Sequence, residues 1–177
     1  MIEEEFYKLF KGKKVYIRRP KYDGISYINK LWSDEETTSE LGGPFSLTEE
    51  KAKTWYPKMV NPTDGKNFYC LIFNYNNEPV GEVSFHRYNS KTKTAELNIK
   101  IEGKHRGNGY SKEALQLILN YFFFEFGGEI MIDPVLLENK RGQQLLLNFG
   151  FERDESEKDI FLLRMSKERF IKLINGI

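Results

Sequence analysis

One short segment, rich in glycine and cations, has the residue types best suited to chemistry in this chain. Residues 104–111 read KHRGNGYS and lead into a run with helical spacing. Glycines at positions 107 and 109 let the backbone approach a ligand closely or take a positive φ. Free N–H groups at the start of a helix favour an anion, and Lys104 and Arg106 add positive charge. The segment predicts a phosphate or pyrophosphate site; a plain glycine turn with solvated cations is the alternative.

Two common phosphate-binding loops do not fit this segment. The GxxxxGK[ST] string of a P-loop does not occur in the sequence. A dinucleotide-binding GxGxxG would need glycine at position 112, where this chain has Lys112. The predicted loop also follows an antiparallel strand late in the chain, not the first strand. A nucleotide-binding protein is therefore only a third hypothesis.

The elements that must position the loop alternate between strand and helix. The helix after it has apolar residues on one face, and Gly127 and Gly128 end it. Ser46 and Glu49 fit a capping box for an earlier helix. The helices are predicted over 2–10, 22–32, 46–59, 111–126 and 140–147, and the strands over 15–19, 67–75, 80–87, 93–101, 129–133 and 160–165. A strand, a crossover helix and another strand in the second half imply a parallel pair in a mixed sheet.

Composition limits the class of protein. The 177 residues suit one domain, and 27 Lys and Arg against 26 Asp and Glu give a net charge of +1, which argues against nucleic acid. The longest apolar run, 68–73, is too short to cross a membrane. A single cysteine, Cys70, excludes a disulfide framework and a CxxC metal site. The acidic N-terminus is unlike a signal peptide, so we expect a cytoplasmic protein without a metal, a membrane or a nucleic acid as partner.

The glycine loop resembles the acetyl-CoA loop of the GNAT superfamily of N-acetyltransferases, whose pattern is Gln/Arg-x-x-Gly-x-Gly/Ala. The resemblance extends to AELNIKI over 95–101, to GYSKEAL over 109–115, and to Val135, Asn139 and the pair Gly150-Phe151. It is closest to the branch of ribosomal-protein N-terminal and spermidine acetyltransferases. It implies a single α/β (α+β) domain over 1–177, with a core over about 12–170 and a short N-terminal helix over 1–11. The implied central sheet is mixed, with about seven strands, a splayed parallel pair and flanking helices.

The same resemblance implies acetyl-CoA as the co-substrate. The pantetheine arm would bond the backbone of the splayed strand, and main-chain N–H groups of the loop would hold the pyrophosphate. Asn139 would bond the pantetheine or order a water near the sulfur, and it would also suit a helix N-cap. The implied cofactor-binding residues are Ile99, Lys100, Ile101, Arg106, Gly107, Asn108, Gly109, Tyr110, Ser111, Lys112 and Asn139.

The implied reaction is attack of a neutral amine on a thioester, which needs a base. Glu96 is the catalytic candidate beside Asn139, although a carboxylate paired with a cation is the alternative for it. His86 is the second candidate base. The family's usual general acid is a tyrosine seven residues after the asparagine, and this chain has Leu146 there. The acid would then be solvent, a water held by Asn139, or Tyr110.

Acidic residues dominate the two segments that line the acceptor cleft in this family, 33–50 and 152–159. An acidic cleft would concentrate cations, so we expect a polyamine, an aminoglycoside or a peptide N-terminus; solvated helix faces and loops are the alternative. The sequence thus predicts an N-acetyltransferase for a small-molecule or peptide amine. The alternative is a catalytically silent acyl-CoA-binding regulatory module. Exposed aromatics within 121–124 could support a homodimer.

Overall fold

A single mixed sheet of eight strands forms the centre of the computed structural model, which describes residues 3–60 and 64–176. Its strand order is β1-β2-β3-β4-β5-β6-β8-β7. The strands are β1 (Phe10–Lys11), β2 (Val15–Arg18), β3 (Phe68–Asn74), β4 (Pro79–Asn89), β5 (Thr94–Ile101), β6 (Ile130–Val135), β7 (Glu152–Asp154) and β8 (Phe161–Ser166). The helices are α1 (Glu3–Phe6), α2 (Ile25–Ser33), α3 (Glu35–Thr38), α4 (Glu49–Met59), α5 (Tyr110–Asn120), α6 (Lys140–Phe149) and α7 (Lys167–Ile174).

Helices cover both faces of the sheet, so the central strand β3 is buried along its whole length. On one face, Val83, Phe85 and Leu97 pack with the apolar side of α5 in the larger core cluster. On the other face, Tyr69 and Leu71 pack in a smaller cluster with apolar residues of α2 and α4. Alternation along the strands sends successive side chains to these two faces. Side chains on the two faces of β5 therefore lie in different environments.

Strands β5 and β6 are the parallel pair, and they stay together only at one end. Their pairing runs from Thr94 opposite Ile130 to Glu96 opposite Ile132. Beyond Glu96, β5 continues to Ile101 paired with β4 alone. The backbone edge of β5 that faces β6 is consequently open over the second half of the strand. The predicted splayed parallel pair is confirmed.

The sheet has eight strands, where the resemblance implied about seven and the sequence pattern placed six, and the N-terminal helix is shorter than predicted. The helix expected over 2–10 covers Glu3–Phe6, and Met1 and Ile2 lie outside the described residues. Phe10 instead joins the sheet as part of β1, because its ring packs edge-on against Phe68 and Tyr121. Burial of a large aromatic ring outweighs continuation of a short helix. The other short edge strand, β7, also escaped the sequence analysis.

The helix predicted from Ser46 begins later. The N–H of Leu47 donates to Asn29 Oδ1 at 2.8 Å, which ties this segment to α2. The cap is therefore Thr48, whose Oγ1 accepts from the N–H of Lys51 at 3.3 Å, and the predicted capping box of Ser46 and Glu49 is wrong. The helix predicted over 111–126 divides into α5 and a π-helical segment over Tyr121–Phe126. Helices α3 and α7 were not predicted. Within the described residues, none of the helices is long and apolar enough to cross a membrane.

Candidate active site

A cavity of about 230 Å³ lies where the glycine loop, the open edge of β5 and the start of α6 meet. We call it the loop cavity. Its lining includes most of the residues that the sequence analysis assigned to acetyl-CoA: Ile99, Lys100, Ile101, Arg106, Gly107, Gly109, Tyr110, Ser111 and Asn139. Thr37, Glu40, Leu41, His105, Arg141, Gly142 and Leu145 complete it. The topology thus brings four separate parts of the chain to the splay.

Two glycines shape the wall of the loop cavity. Gly107 has φ +81° and Gly109 has φ +77°, a region that other residues rarely adopt. Gly109 is the N-cap of α5 and supplies no side-chain acceptor to the first turn of the helix. The N–H groups of that turn therefore remain available, and the positive end of the helix dipole favours an anion there. This geometry fits a phosphate group.

Polar side chains of the loop make contacts that the sequence analysis did not predict. Arg106 donates from its guanidinium to the carbonyl oxygens of Glu36 and Thr37 at 3.2 and 3.0 Å, so its side chain clamps α3 onto the loop. Lys104 is exposed and pairs with Glu78. Asn108 and Lys112 do not line the loop cavity; both are exposed, and Asn108 lies beside Lys14, whose ammonium donates to its carbonyl oxygen at 3.1 Å.

Asn139 performs the capping role and also reaches the loop cavity. Its side-chain oxygen accepts from the N–H of Gly142 at 2.8 Å, as an N-cap of α6 should. A Cβ at position 142 would lie 2.4 Å from Asn139 Nδ2, so glycine is required there for the close approach. The cap fixes the amide at the cavity wall, where its nitrogen can donate to a ligand.

A second cavity, of about 330 Å³, lies on the opposite side of β5. We call it the aromatic cavity. It is lined by Trp32, Thr38, Leu41, Gly43, Phe45, Trp55, Met59, Tyr69, Glu82, Ser84, His86, Asn98 and Lys100. Leu41 and Lys100 line both cavities, so the two meet at β5. A ligand in the loop cavity and one in the aromatic cavity could approach each other there.

Glu82 is a buried carboxylate at the floor of the aromatic cavity, with its side chain only 1% exposed. It accepts hydrogen bonds from the Lys100 ammonium at 2.8 Å, Trp32 Nε1 at 2.8 Å and Asn98 Nδ2 at 3.0 Å, and from the Tyr69 hydroxyl. Burial alone would raise its pKa. The charge of Lys100 and these hydrogen bonds outweigh that effect and lower the pKa. Glu82 is therefore ionised at neutral pH.

The two candidate bases, Glu96 and His86, are in contact. His86 Nε2 lies 3.2 Å from Glu96 Oε2, and Arg87 Nη1 lies 3.1 Å from the same oxygen. Only His86 of the pair lines the aromatic cavity. Burial lowers the pKa of His86, and the neighbouring Arg87 lowers it further, while Glu96 opposes the shift. The imidazole is therefore largely neutral at pH 7. The alternative considered for Glu96, a carboxylate paired with a cation, is what the structure shows.

Leu146, at the position of the usual tyrosine, is buried in the larger core cluster. Tyr110, an alternative acid, lines the loop cavity.

The acidic segments 33–50 and 152–159 do not form the acidic cleft that the sequence analysis expected. Among the described residues, none of the Asp or Glu side chains of 33–50 and 152–159 lines the aromatic cavity, and Glu40 alone of them lines the loop cavity.

Sequence reasoning missed the centre of the aromatic cavity. Glu82, Trp32 and the side chain of Lys100 were not named as a group, because they lie on three elements. One signal was present: Glu82 interrupts an apolar strand, and Lys100 does the same two positions after Asn98 on β5. Charged residues are almost never fully buried unless paired. Because β4 and β5 were predicted to be neighbours, opposite charges within their apolar runs could have suggested that Glu82 and Lys100 form a pair.

Residues 14–152 match the family described as "Acetyltransferase (GNAT) domain". Among curated proteins, an uncharacterized N-acetyltransferase p20 of Bacillus licheniformis is 22% identical over 83% of this chain and 84% of its own length. An uncharacterized N-acetyltransferase YoaA of Bacillus subtilis is 29% identical over 44% of each chain, so that match spans less than half of the relative.

Solved structures share the fold. A spermidine N-acetyltransferase from Vibrio cholerae, in complex with CoA and spermine, aligns with a TM-score of 0.79 and 17% identity over 90% of this chain and 99% of that one. A GNAT-family acetyltransferase from Bacillus anthracis aligns with a TM-score of 0.73 and 21% identity over 91% and 99%. With the family match covering residues 14–152 and the splayed β5–β6 pair beside the glycine loop, this chain belongs to the GNAT acetyltransferase family.

Proposed function

We propose that this protein is an acetyl-CoA-dependent N-acetyltransferase that acts on a primary amine held in the aromatic cavity. The observation that carries the proposal is the meeting of the two cavities at the open part of β5, where they share Leu41 and Lys100. A thioester reaching this point from one side would face an amine arriving from the other. Such an arrangement supplies the proximity that a bimolecular acyl transfer needs.

The loop cavity fits coenzyme A. The free N–H groups at the start of α5 suit the pyrophosphate, and Arg141 adds a cation to the cavity wall. The open backbone edge of Ile99–Ile101 suits the amide groups of the pantetheine arm, which would extend the sheet on that side. Asn139 would donate from its amide nitrogen. The thioester supplies the activated acetyl group, and the protein supplies position and a base.

His86 is the proposed base, and Glu96 positions it. Because Glu96 faces Nε2 of the imidazole, the neutral ring carries its proton there and leaves Nδ1 free to accept one. A primary ammonium has a pKa of about 10, so a base must remove a proton before attack. A neutral imidazole lining the cavity can do this, directly or through a water. This replaces the expectation that Glu96 itself is the base, because Glu96 does not line the aromatic cavity.

The Glu96→Gln variant tests this assignment by the release of free thiol from acetyl-CoA with an amine acceptor. We expect kcat to fall about tenfold or more, with acetyl-CoA binding unchanged. Loss of the carboxylate also lowers the pKa of His86, so the acidic limb of the pH–rate profile should move to lower pH. Glu129→Gln, at an exposed position, is the matched control. An unchanged rate and profile in Glu96→Gln would remove Glu96 from the mechanism.

The second candidate is a silent acyl-CoA-binding module, and the buried Leu146 favours it, because leucine cannot protonate a leaving thiolate. A thiol has a pKa near 8.5, so a thiolate also leaves without an acid. Thiol release across a panel of amines separates the two candidates. Acetyl-CoA that stabilises the protein against heat without any turnover would support the silent module.

A further inference from the structure

Flat aromatic side chains form the walls of the aromatic cavity. Trp32 packs edge-on against Trp55 and Phe45, with ring centroids 5.2 and 5.9 Å apart, and Trp55 packs edge-on against Tyr69 at 5.0 Å. The bonds of Trp32 and Tyr69 to Glu82 fix both rings. Fixed aromatic edges and faces present apolar area at little cost in entropy on binding. Such walls suit a flat apolar body.

Aromatic rings also attract cations, but lysines of this chain already stand at two of these rings. Lys100 Nζ lies 5.4 Å from the Trp32 centroid, and Lys51 Nζ lies 4.6 Å from the Phe45 centroid. An incoming cation would meet an ammonium group at each of them. These rings therefore present their apolar area, not a vacant site for a positive charge.

Glu82 is the only acidic side chain that lines the aromatic cavity within the described residues. Lys100 neutralises its charge. Its Oε1 is 2.8 Å from Lys100 Nζ, and the Lys100 side chain is only 14% exposed. Four hydrogen bonds occupy the carboxylate. With His86 largely neutral, Glu82 and Lys100 leave the cavity without net charge. A second ammonium on the acceptor would find no free carboxylate and would be repelled by Lys100 at short range.

We propose that the acceptor is a primary amine attached to a flat apolar group, without a second positive charge near the amine, and that Lys100 excludes polyamines. The inference rests on the proposed function and deepens it. It replaces the cationic acceptor expected from the acidic segments, whose side chains do not line this cavity. A free arylalkylamine and a peptide with an N-terminal phenylalanine share this chemistry.

Four amines and one peptide separate shape from charge on the wild-type protein. Pentylamine and cadaverine share a five-carbon chain and differ by one terminal ammonium group, whereas 2-phenylethylamine adds a flat ring. Spermidine and a Phe-Gly-Gly peptide complete the panel. We expect kcat/KM for 2-phenylethylamine to exceed that for pentylamine, and pentylamine to exceed cadaverine by about tenfold. A comparison of kcat/KM for the peptide with that for 2-phenylethylamine then shows whether the acceptor is a peptide N-terminus or a free arylalkylamine. Preference for cadaverine or spermidine would overturn the inference.

Lys100→Met tests the role of the lysine. Methionine keeps much of the volume and removes the charge, so Glu82 becomes a free anion in the cavity. We expect the ratio of kcat/KM for pentylamine to that for cadaverine to fall about tenfold. In the double variant Lys100→Met with Glu82→Gln, where neither charge remains, the ratio should lie between those of the wild type and Lys100→Met. An unchanged ratio in Lys100→Met would show that Lys100 does not determine specificity.

Calorimetry with the CoA-saturated protein measures the affinity for each of the same amines without turnover. The expected order of affinity is the same, 2-phenylethylamine above pentylamine above cadaverine. This order in a protein that releases no thiol would retain the inference about the cavity and refute the proposed acetyl transfer. Equal affinity for all of the amines, or no binding of any, would overturn the inference whether or not the protein turns over.

Discussion

Individual side chains in this protein have roles that depend on one or two contacts. Asn139 caps α6 and faces the loop cavity at the same time, since one oxygen accepts from Gly142 and the amide nitrogen remains. Glu96 contacts His86 and not the cavity itself. Lys100 completes the bonding of Glu82 and lines both cavities. A substitution of Asn139, Glu96 or Lys100 should therefore alter one of these contacts and leave the other two in place.

Gly109→Ala tests the loop at the residue scale. The position has φ +77°, and an added Cβ would lie 3.0 Å from Lys14 Nζ. Strain in the loop should displace the N–H groups at the start of α5, and the affinity for acetyl-CoA should fall about tenfold. Calorimetry measures the dissociation constant. Gly42→Ala is the matched control, because φ is +91° there, the space is open and the residue lines neither cavity. Equal losses in both variants would contradict a role of the loop in binding.

At the scale of elements, helix α5 is tied to the first hairpin through one carboxylate. Glu113 accepts from the N–H groups of Lys13, Lys14 and Val15 at 2.7 to 2.8 Å. This bond network holds the β1–β2 turn beside the start of α5 and places Lys14 against the glycine loop. The glutamate of the GYSKEAL segment is therefore a structural residue. It also explains Gly12, where a Cβ would lie 2.4 Å from the Glu113 side chain.

Glu113→Ala should destabilise the protein by about 2 kcal/mol, because three backbone N–H groups lose a charged acceptor, although solvent can replace part of the bonding. Urea denaturation measures the free energy of unfolding. Gln116→Ala, at an exposed position of the same helix, should change that free energy by less than about 0.5 kcal/mol. A loss no larger in Glu113→Ala than in this control would mean that the hairpin does not depend on the carboxylate.

For the whole molecule, the divergence of β5 and β6 has an electrostatic consequence. Asp133 is half-buried on β6, next to Ile132, the last residue of β6 that pairs with β5. Burial, with a smaller contribution from Glu96, raises the pKa of Asp133 to about 7. A carboxyl group whose pKa is raised in the folded state contributes stability below its unfolded pKa of about 3.9, and that contribution is lost as pH rises through the folded pKa. The ionisation of Asp133 should therefore reduce the stability of the protein between about pH 4 and pH 7.

Asp133→Asn should remove this loss. The variant should gain stability relative to the wild type as pH rises from 4 to 7, with a plateau of roughly 1 to 3 kcal/mol above pH 7 after allowance for solvent contact. Thermal unfolding at several pH values measures the difference. Asp159→Asn, at an exposed position, should show no such trend. A difference between Asp133→Asn and the wild type that does not vary with pH would contradict the raised pKa.

The sequence by itself determined the order of most elements, the glycine loop and the family resemblance, because these depend on local spacing. Gly107 and Gly109 at the start of a helix, the apolar run of β3 and the alternation along β5 are local patterns that survive folding. Only the tertiary structure decided how distant side chains combine. The register of β4 and β5 places Glu82 opposite Lys100 and His86 opposite Glu96, and Trp32 at the end of α2 bonds to Glu82. The charge of the aromatic cavity therefore depends on which side chains pack together there. The acidic composition of segments 33–50 and 152–159 could not predict it.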